Sequence, residues 1–198
     1  MSYFPMMVEM NDKRILIVGA GNEAGKKIEL MTRFGASVTV IAPDASLKAS
    51  SLCTADGDHA VGASVNYISR PFEDSDIKNG DYDIVIAATD DHELNSRISA
   101  LAKSEKIPVN IVDEEELCGF IFPAVIKRNE VVLAVSSGGK SPYLTQHIKK
   151  LIEDILPDNI GEINDIMGEY RRQAKEKFSD KEKRRGFLRS KLNELLTR

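Results

Sequence analysis

The chain of 198 residues is 42% hydrophobic and 29% charged and has a formal net charge of −4, the composition of an ordinary globular protein that can bury one good core or one core plus a smaller unit. No apolar run approaches the roughly 20 residues that a membrane helix needs, and the start, MSYFPMMVEM, lacks the features of a secretory signal. We therefore expect a cytoplasmic protein with no membrane partner. Cys53 and Cys118 form no C-x-x-C motif and are expected to be reduced thiols, and the three scattered histidines predict no metal site.

The first 113 residues alternate predicted strands and helices. Residues 14–18, RILIV, form an apolar run between a charged stretch and a glycine, which predicts a buried parallel strand. Residues 22–34 carry apolar side chains at helical spacing and stop at Gly35, a usual C-terminal helix signal. The same criteria predict strands at residues 37–43, 64–69, 82–89 and 107–112, a helix at 91–106, and a polar loop at 44–63.

This alternation predicts an α/β fold with a Rossmann-type, doubly wound parallel sheet. In such sheets ligands bind at the carboxyl ends of the strands, near the point where the strand order reverses. The loops at residues 19–24, 42–45, 89–92 and 113–119 are therefore the places where we expect functional side chains.

The pattern changes after Asp113. Residues 120–137 predict two strands joined by a turn near residues 128–130, and a helix is predicted at 143–155. The last forty residues are charged and amphipathic and predict helices only. We therefore divide the chain into a Rossmann-type domain at 1–113, a short β arm at 114–141 and a helical domain at 142–198.

The turn after the first strand has the pattern of a dinucleotide-binding turn. Gly19 permits a tight turn, Gly21 permits a pyrophosphate to approach the backbone, and Ala24 is small enough for close packing of helix on strand. The alternative is a turn with a purely structural role. Ala42 stands where an acid usually contacts the ribose and Asp44 follows it, with no Arg close by, which favours NAD over NADP.

Two further loops carry candidate chemistry. Asp113 ends a strand and precedes apolar residues, which predicts partial burial, a raised pKa and a role as proton acceptor. We interpret Glu114–Glu116 as an acidic surface loop. The stretch SSGGKSP, residues 136–142, could bind an anion through free N–H groups, or Ser141 could simply cap the following helix.

Residues 171–191 contain ten basic and three acidic residues. They form either a solvated helical face or a surface that meets an anionic partner. Nucleic acid is not the expected partner, because the segment lacks interleaved aromatic residues and the whole chain is acidic.

Several of these stretches together resemble one family, the precorrin-2 dehydrogenases, often bifunctional with sirohydrochlorin ferrochelatase, in the short form of siroheme synthase without the methyltransferase domain. The matching pieces cover most of residues 3–145 in order, and the run from Asn110 to Pro142 is the most specific. They are YFPMMVEMNDKRILIVGAGNEAGKKIELM, VTVIAP, IAATDDHELN, VNIVDEEELCGFIFPAVIKR and LAVSSGGKSPYL.

The resemblance implies a homodimer in which residues 114–141 form the dimerisation arm. It implies NAD-dependent oxidation of precorrin-2, a polyanionic tetrapyrrole, to sirohydrochlorin in siroheme biosynthesis, followed in some members by insertion of Fe²⁺. Asp113 matches the family's key aspartate. The positions matching nucleotide contacts are Gly19, Gly21, Asn22, Glu23, Pro43, Asp44, Thr89 and Asp90, and the expected substrate neighbours are Ser137, Gly138, Lys140, Arg171 and Arg172.

Two departures from the family pattern lie in the glycine turn. Glu23 stands where members often have an apolar residue, and Gly25 replaces a better helix former. Two alternatives to the full activity stay open. One is a dehydrogenase served by a separate chelatase, and the other is a regulatory NAD-sensing module without chemistry.

Overall fold

The computed structural model describes residues 3–44 and 63–197. The chain divides into two compact units, Met1–Ile121 and Phe122–Arg198. Residues 45–62 of the loop predicted at 44–63, and with them the thiol of Cys53, lie outside the described residues. The three-part division into 1–113, 114–141 and 142–198 stays a prediction.

The first unit is built on a parallel sheet of five described strands in the order β3-β2-β1-β4-β5. The strands are β1 Arg14–Val18, β2 Ser37–Ala42, β3 Ser64–Ser69, β4 Ile84–Ala87 and β5 Val109–Ile111. The helices are α1 Asn22–Arg33, α2 Asp74–Lys78 and α3 His92–Ser104. The strand order reverses between β1 and β4, so the predicted Rossmann-type fold is confirmed and its switch point lies beside the glycine turn.

The core of this unit follows from the apolar strands. Ile15, Leu16 and Ile17 have no exposed surface, as expected for a central parallel strand covered on both faces. Helix α1 buries Ile28 and Met31 among the side chains of its packed face. The sheet edge is therefore a rigid support for the loops that follow β1, β4 and β5.

Helix α2 has no counterpart among the predicted elements. It has only five residues, too few for apolar periodicity to show, and a capping box begins it. The Asp76 carboxylate accepts a hydrogen bond from the Glu73 backbone N–H at 2.8 Å, and Arg70 donates to it at 2.5 and 2.9 Å. A polar local motif, rather than an apolar stripe, specifies this turn.

The Arg70 side chain, hydrogen-bonded to Asp76, holds the pKa of that carboxyl below its ordinary value. A lowered pKa in the folded state means that the charged form stabilises the fold above the unfolded-state pKa of about 4, and that this contribution disappears as pH falls through the folded-state value. We expect Asp76→Asn to lower the melting temperature by a few degrees at pH 7 and by progressively less below pH 4. Thermal unfolding followed by circular dichroism at several pH values measures this. Glu29→Gln, at an exposed position of α1, is the matched control, and equal losses for Asp76→Asn at pH 7 and at pH 2.5 would contradict the expectation.

The second unit combines an antiparallel hairpin with helices. Strands β6 Ala124–Arg128 and β7 Val131–Val135 pair across a turn that contains Asn129 in a left-handed conformation, with φ of 51°. Helices α4 Pro142–Ile155, α5 Ile160–Lys177 and α6 Lys181–Leu196 follow. Both the hairpin and the helical tail agree with the sequence analysis.

The tail is divided at residues 178–180. Phe178 ends α5 in extended backbone and Asp180 caps α6, its side chain accepting a hydrogen bond from the Lys183 N–H at 2.8 Å. The Phe187 ring packs edge-to-face on Tyr170 with centroids 6.0 Å apart. Within residues 3–44 and 63–197, no helix combines the length and the apolar character required to span a membrane.

Candidate functional site

The carboxyl ends of the central strands meet at one edge of the sheet. Backbone hydrogen bonds continue beyond the strands: the Gly19 N–H donates to the Ile41 carbonyl at 2.9 Å and the Ala88 N–H to the Val18 carbonyl at 2.8 Å. The Val112 N–H likewise donates to the Ala87 carbonyl at 2.9 Å. The loops after β1, β4 and β5 are therefore fixed to one another at the predicted ligand-binding edge.

The glycine turn fits a dinucleotide. Gly19 has φ of +105°, and a Cβ placed there would lie 2.3 Å from the Ala88 carbonyl oxygen, so only glycine fits. Gly21 is the N-cap of α1, and as a glycine it has no side chain to cap the first N–H groups of the helix. No atom lies within 4 Å of the place where its Cβ would stand. Ala24 is fully buried, as its packing role predicts. The open backbone at Gly21 and the N–H groups that begin α1 can receive a pyrophosphate.

A cavity of about 240 Å³ opens at the same edge. It joins the head of α1 to the ends of β4 and β5, and it contains four of the residues that the sequence analysis singled out. The lining residues are Glu23, Ala88, Thr89, Asp90, His92, Asn95, Val112, Asp113 and Glu114.

Asp113 lies on this cavity but is exposed, so the expectation of partial burial was wrong. The chain turns at Asp113 in a left-handed conformation with φ of 62°. The apolar residues that follow Asp113 pack into the core and do not cover its carboxylate. Leu117 and Cys118, for example, contact the buried cluster beneath the sheet edge. A carboxylate in contact with water at a ligand-binding edge is nevertheless accessible to a substrate proton.

Glu114 departs most from the predicted acidic surface loop at Glu114–Glu116. Its side chain is 16% exposed, and its Oε1 accepts a hydrogen bond from Asn95 Nδ2 at 2.8 Å. Asn95 is 2% exposed, and its amide also donates to the Thr89 carbonyl at 3.0 Å and accepts from Thr89 Oγ1 at 2.7 Å. This network ties the turn after β5 to the loop after β4.

Two polar residues of this network were not predicted as site residues. Asn95 lies in the apolar face of α3 together with Ile98 and Ala102, and a buried amide in such a face requires partners. His92 is the first residue of α3, and its Nδ1 forms an ion-pair contact with Glu114 Oε2. The break in the apolar pattern at Asn95 was the available signal. His92 falls in the loop at residues 89–92 where functional side chains were expected, but no motif distinguished it within that loop.

Glu23 sits beside cations that moderate its charge. Lys26 Nζ lies 2.5 Å from its carboxylate. Burial lowers the pKa of Lys27, and the charges of Glu23 and Asp113 oppose that shift. An acid in the glycine turn is thus balanced within the helix that carries it.

Asn22, another predicted nucleotide contact, is exposed at the first position of α1, and the two remaining candidates follow the end of β2. Pro43 and Asp44 are exposed there, and neither lines the cavity. Ala42 is buried, and its carbonyl accepts a hydrogen bond from the Tyr67 hydroxyl at 2.9 Å. Asp44 lies beyond Pro43 after β2, the strand whose Ile41 carbonyl is bonded to Gly19, and its predicted ribose contact stays a prediction.

The candidate substrate neighbours belong to the second unit. Ser137 Oγ accepts hydrogen bonds from the Ser141 N–H at 2.9 Å and from Thr145 Oγ1 at 3.0 Å. Ser141 caps α4 by accepting from the Leu144 N–H at 3.2 Å, and the Gly138 N–H is bonded to Ser136 Oγ at 3.0 Å. The loop is therefore internally bonded. Three further candidates, Lys140, Arg171 and Arg172, have exposed side chains, and Arg172 pairs with Glu169.

Groups of three or more His, Cys, Asp or Glu side chains arranged to hold a metal ion do not occur within residues 3–44 and 63–197.

Comparison with known proteins agrees with this geometry. A family model described as "Putative NAD(P)-binding" matches residues 6–124. A siroheme synthase of Nitrosospira multiformis is 37% identical over 187 residues, which is 94% of this chain and 39% of that protein. A siroheme synthase of Psychrobacter cryohalolentis is 38% identical over 94% of this chain and 34% of its own length. The chain thus spans little more than a third of the length of these relatives, and they confirm the resemblance found in the sequence.

A solved structure, described as SirC, precorrin-2 dehydrogenase, superimposes with a TM-score of 0.76 at 21% identity. The match covers 95% of this chain and 88% of that one, and it confirms the fold.

Proposed function

We propose that this chain, which belongs to the NAD(P)-binding family, oxidises precorrin-2 to sirohydrochlorin with NAD. The observation that carries the proposal is the cavity that joins Glu23 in the glycine turn to Asp113 at the end of β5. This cavity supports a site in which a bound dinucleotide and the proton acceptor Asp113 lie at the same edge of the sheet. The siroheme synthases that match 94% of the chain support the substrate.

In this proposal the backbone around Gly21 and the head of α1 hold the pyrophosphate of NAD, and Asp44 contacts the ribose. NAD supplies the hydride acceptor when bound. The protein binds and orients the tetrapyrrole, and Asp113 accepts the proton that must leave as conjugation extends. The acidic side chain of Asp44 at the ribose, with no Arg close by in sequence, disfavours the extra phosphate of NADP.

Polyanion recognition is assigned to the second unit. Arg171 and Arg172 on α5, together with Ser137, Gly138 and Lys140, are proposed to contact the substrate carboxylates. A homodimer through the arm at residues 114–141 is also proposed. Outside that arm, the exposed apolar side chains of Leu144, Leu151 and Ile155 on α4 support association of two copies in general, because apolar surface is costly to leave in water.

Anaerobic incubation of the chain with precorrin-2 and NAD⁺ tests the function. We expect sirohydrochlorin and NADH to appear in equal amounts, followed by their absorbance, and a lower kcat/KM with NADP⁺. Addition of Fe²⁺ or Co²⁺ to the product then separates a bifunctional enzyme from a dehydrogenase served by another chelatase. Binding of NAD⁺ without any oxidation would contradict the proposal and favour the NAD-sensing alternative.

A further inference from the structure

The Asp113 carboxylate takes its position from the backbone that carries it. Its side chain is exposed on the cavity, and within residues 3–44 and 63–197 no hydrogen bond reaches it. The φ of 62° at Asp113 is a left-handed conformation, which an aspartate keeps only where the surrounding structure imposes it. The contacts of the neighbouring residues therefore decide where this carboxylate stands.

The turn around Asp113 is held firmly on one side and weakly on the other. Upstream, the Val112 N–H donates to the Ala87 carbonyl at 2.9 Å and so continues the sheet. Downstream, the bond that closes the turn runs from the Glu114 N–H to the Ile111 carbonyl and is long, at 3.5 Å. A further attachment after Asp113 is needed if its backbone is to keep one conformation.

The Glu114 side chain supplies this attachment. Its Oε1 accepts a hydrogen bond from Asn95 Nδ2 at 2.8 Å, and its Oε2 contacts His92 Nδ1, so both partners lie in the first turn of α3. The Asn95 amide is itself fixed by two hydrogen bonds with Thr89, at 2.7 and 3.0 Å. Among the described residues, the remaining hydrogen bonds of Glu114 reach no further than residues 111–118. Its side chain is therefore what ties Glu114 to another element.

A carboxylate is an unusual side chain for a place with only 16% exposure. A buried charge is unfavourable unless it is hydrogen-bonded, and a well-packed apolar side chain often stabilises such a place equally well. What the carboxylate adds is a directed, charge-assisted bond that selects one geometry. Glu116, two residues further on, is exposed instead. The burial of Glu114 therefore indicates a requirement for geometry beside Asp113, and not for stability alone.

We propose that Glu114 is the positioning residue for Asp113, and that its bond to Asn95 holds the Asp113 carboxylate at one place in the cavity. The inference rests on the proposed function, because it concerns the proton that Asp113 accepts from the substrate. Glu114 takes no part in the proton transfer itself. When its bond to Asn95 is lost, the Asp113 carboxylate is still present but samples several positions, and fewer of them suit the transfer.

A double-mutant cycle on the full chain tests this role, with precorrin-2, NAD⁺ and the single-turnover rate of NADH formation as the readout. We expect Glu114→Ala to lower that rate roughly 10- to 100-fold in the parent chain, as a misplaced catalytic group does. In the Asp113→Asn background the same change should lower the rate less than about twofold, because the carboxylate that Glu114 positions is already gone. Calorimetric titration should give the same Kd for NAD⁺ with and without Glu114→Ala.

A matched pair of variants separates the hydrogen bond from the charge. Glu114→Gln loses the charge but keeps an oxygen that can accept from Asn95, so its rate should stay within about threefold of the parent rate. Glu114→Asp keeps the charge but is one methylene shorter and cannot reach Asn95, so it should be as slow as Glu114→Ala. Glu116→Ala removes an exposed acid of the same loop outside the cavity, and as the control it should behave as the parent chain does.

Four results would overturn the inference: a parental rate in Glu114→Ala, equal losses in both backgrounds, weaker NAD⁺ binding that accounts for the loss, or a Glu114→Gln chain as slow as Glu114→Asp. If circular dichroism shows that Glu114→Ala does not fold, the comparison of Glu114→Gln with Glu114→Asp decides alone. A parent chain that oxidises no precorrin-2 would instead defeat the proposed function, and this inference with it, so the two failures are distinguishable.

Discussion

Asp113→Asn is expected to lower kcat for precorrin-2 oxidation by about 10² to 10⁴, the usual worth of a positioned general base, and to leave the KM for NAD⁺ nearly unchanged. The reason lies in the cavity, where Asp113 stands at the end of β5 and is exposed to an incoming substrate. An amide at that place cannot accept the substrate proton. Steady-state kinetics under anaerobic conditions, followed by NADH absorbance, measure the change.

The substitution is also a clean one structurally. Asp113 has φ of 62°, and asparagine is among the residues that tolerate this left-handed conformation best, so the turn after β5 should persist. Glu116→Gln is the control, because Glu116 is an exposed acid of the same loop that does not line the cavity. Full turnover by a folded Asp113→Asn variant would remove Asp113 from the reaction, and equal losses in both variants would point to the charge of the loop rather than to one proton acceptor.

The sheet of this protein was predictable because the sequence of each strand by itself indicates that the strand is buried. Ile15, Leu16 and Ile17 form a continuous apolar run, and a strand covered on both faces needs such a run. The glycine turn was predictable for a similar reason. Glycine alone permits the left-handed backbone at position 19 and the close approach of a ligand to the backbone at position 21. Both requirements are therefore visible in the sequence as Gly19 and Gly21.

The candidate site was less predictable where partners are distant in sequence. Glu114 looked like one of three surface acids, and its burial depends on Asn95, nineteen residues earlier and on another element. The prediction for Asp113 was wrong in the opposite direction: partial burial was expected and the side chain is exposed. The apolar residues after it pack against the core without covering its carboxylate. A pattern within one segment indicates which face of that segment is buried, but not which side chain of another segment will meet it.

Gly19→Ala and Gly21→Ala should separate the fold of the glycine turn from its binding role. At Gly19 the new Cβ would lie 2.3 Å from the Ala88 carbonyl oxygen, and φ of +105° is a conformation that alanine avoids. The Ala88 carbonyl cannot easily yield, since the Ala88 N–H is bonded to Val18 in the sheet. We expect this variant to melt many degrees lower and to lose NAD⁺ binding with its fold.

Gly21→Ala should fold as the parent does, because φ of −76° suits alanine and no atom lies within 4 Å of the new Cβ. The added methyl group occupies the open space in which a pyrophosphate would approach the backbone, so we expect the Kd for NAD⁺ to rise by at least about tenfold, or roughly 1.4 kcal/mol. Calorimetric titration with NAD⁺ and thermal unfolding measure the two effects.

Gly168→Ala is the matched control, because it lies within α5 and also has no neighbours at the Cβ position. It should gain up to about 1 kcal/mol of stability with an unchanged Kd. Unaltered NAD⁺ affinity in a folded Gly21→Ala variant would place the dinucleotide elsewhere, because the only change at that position is the loss of the open backbone that this site requires.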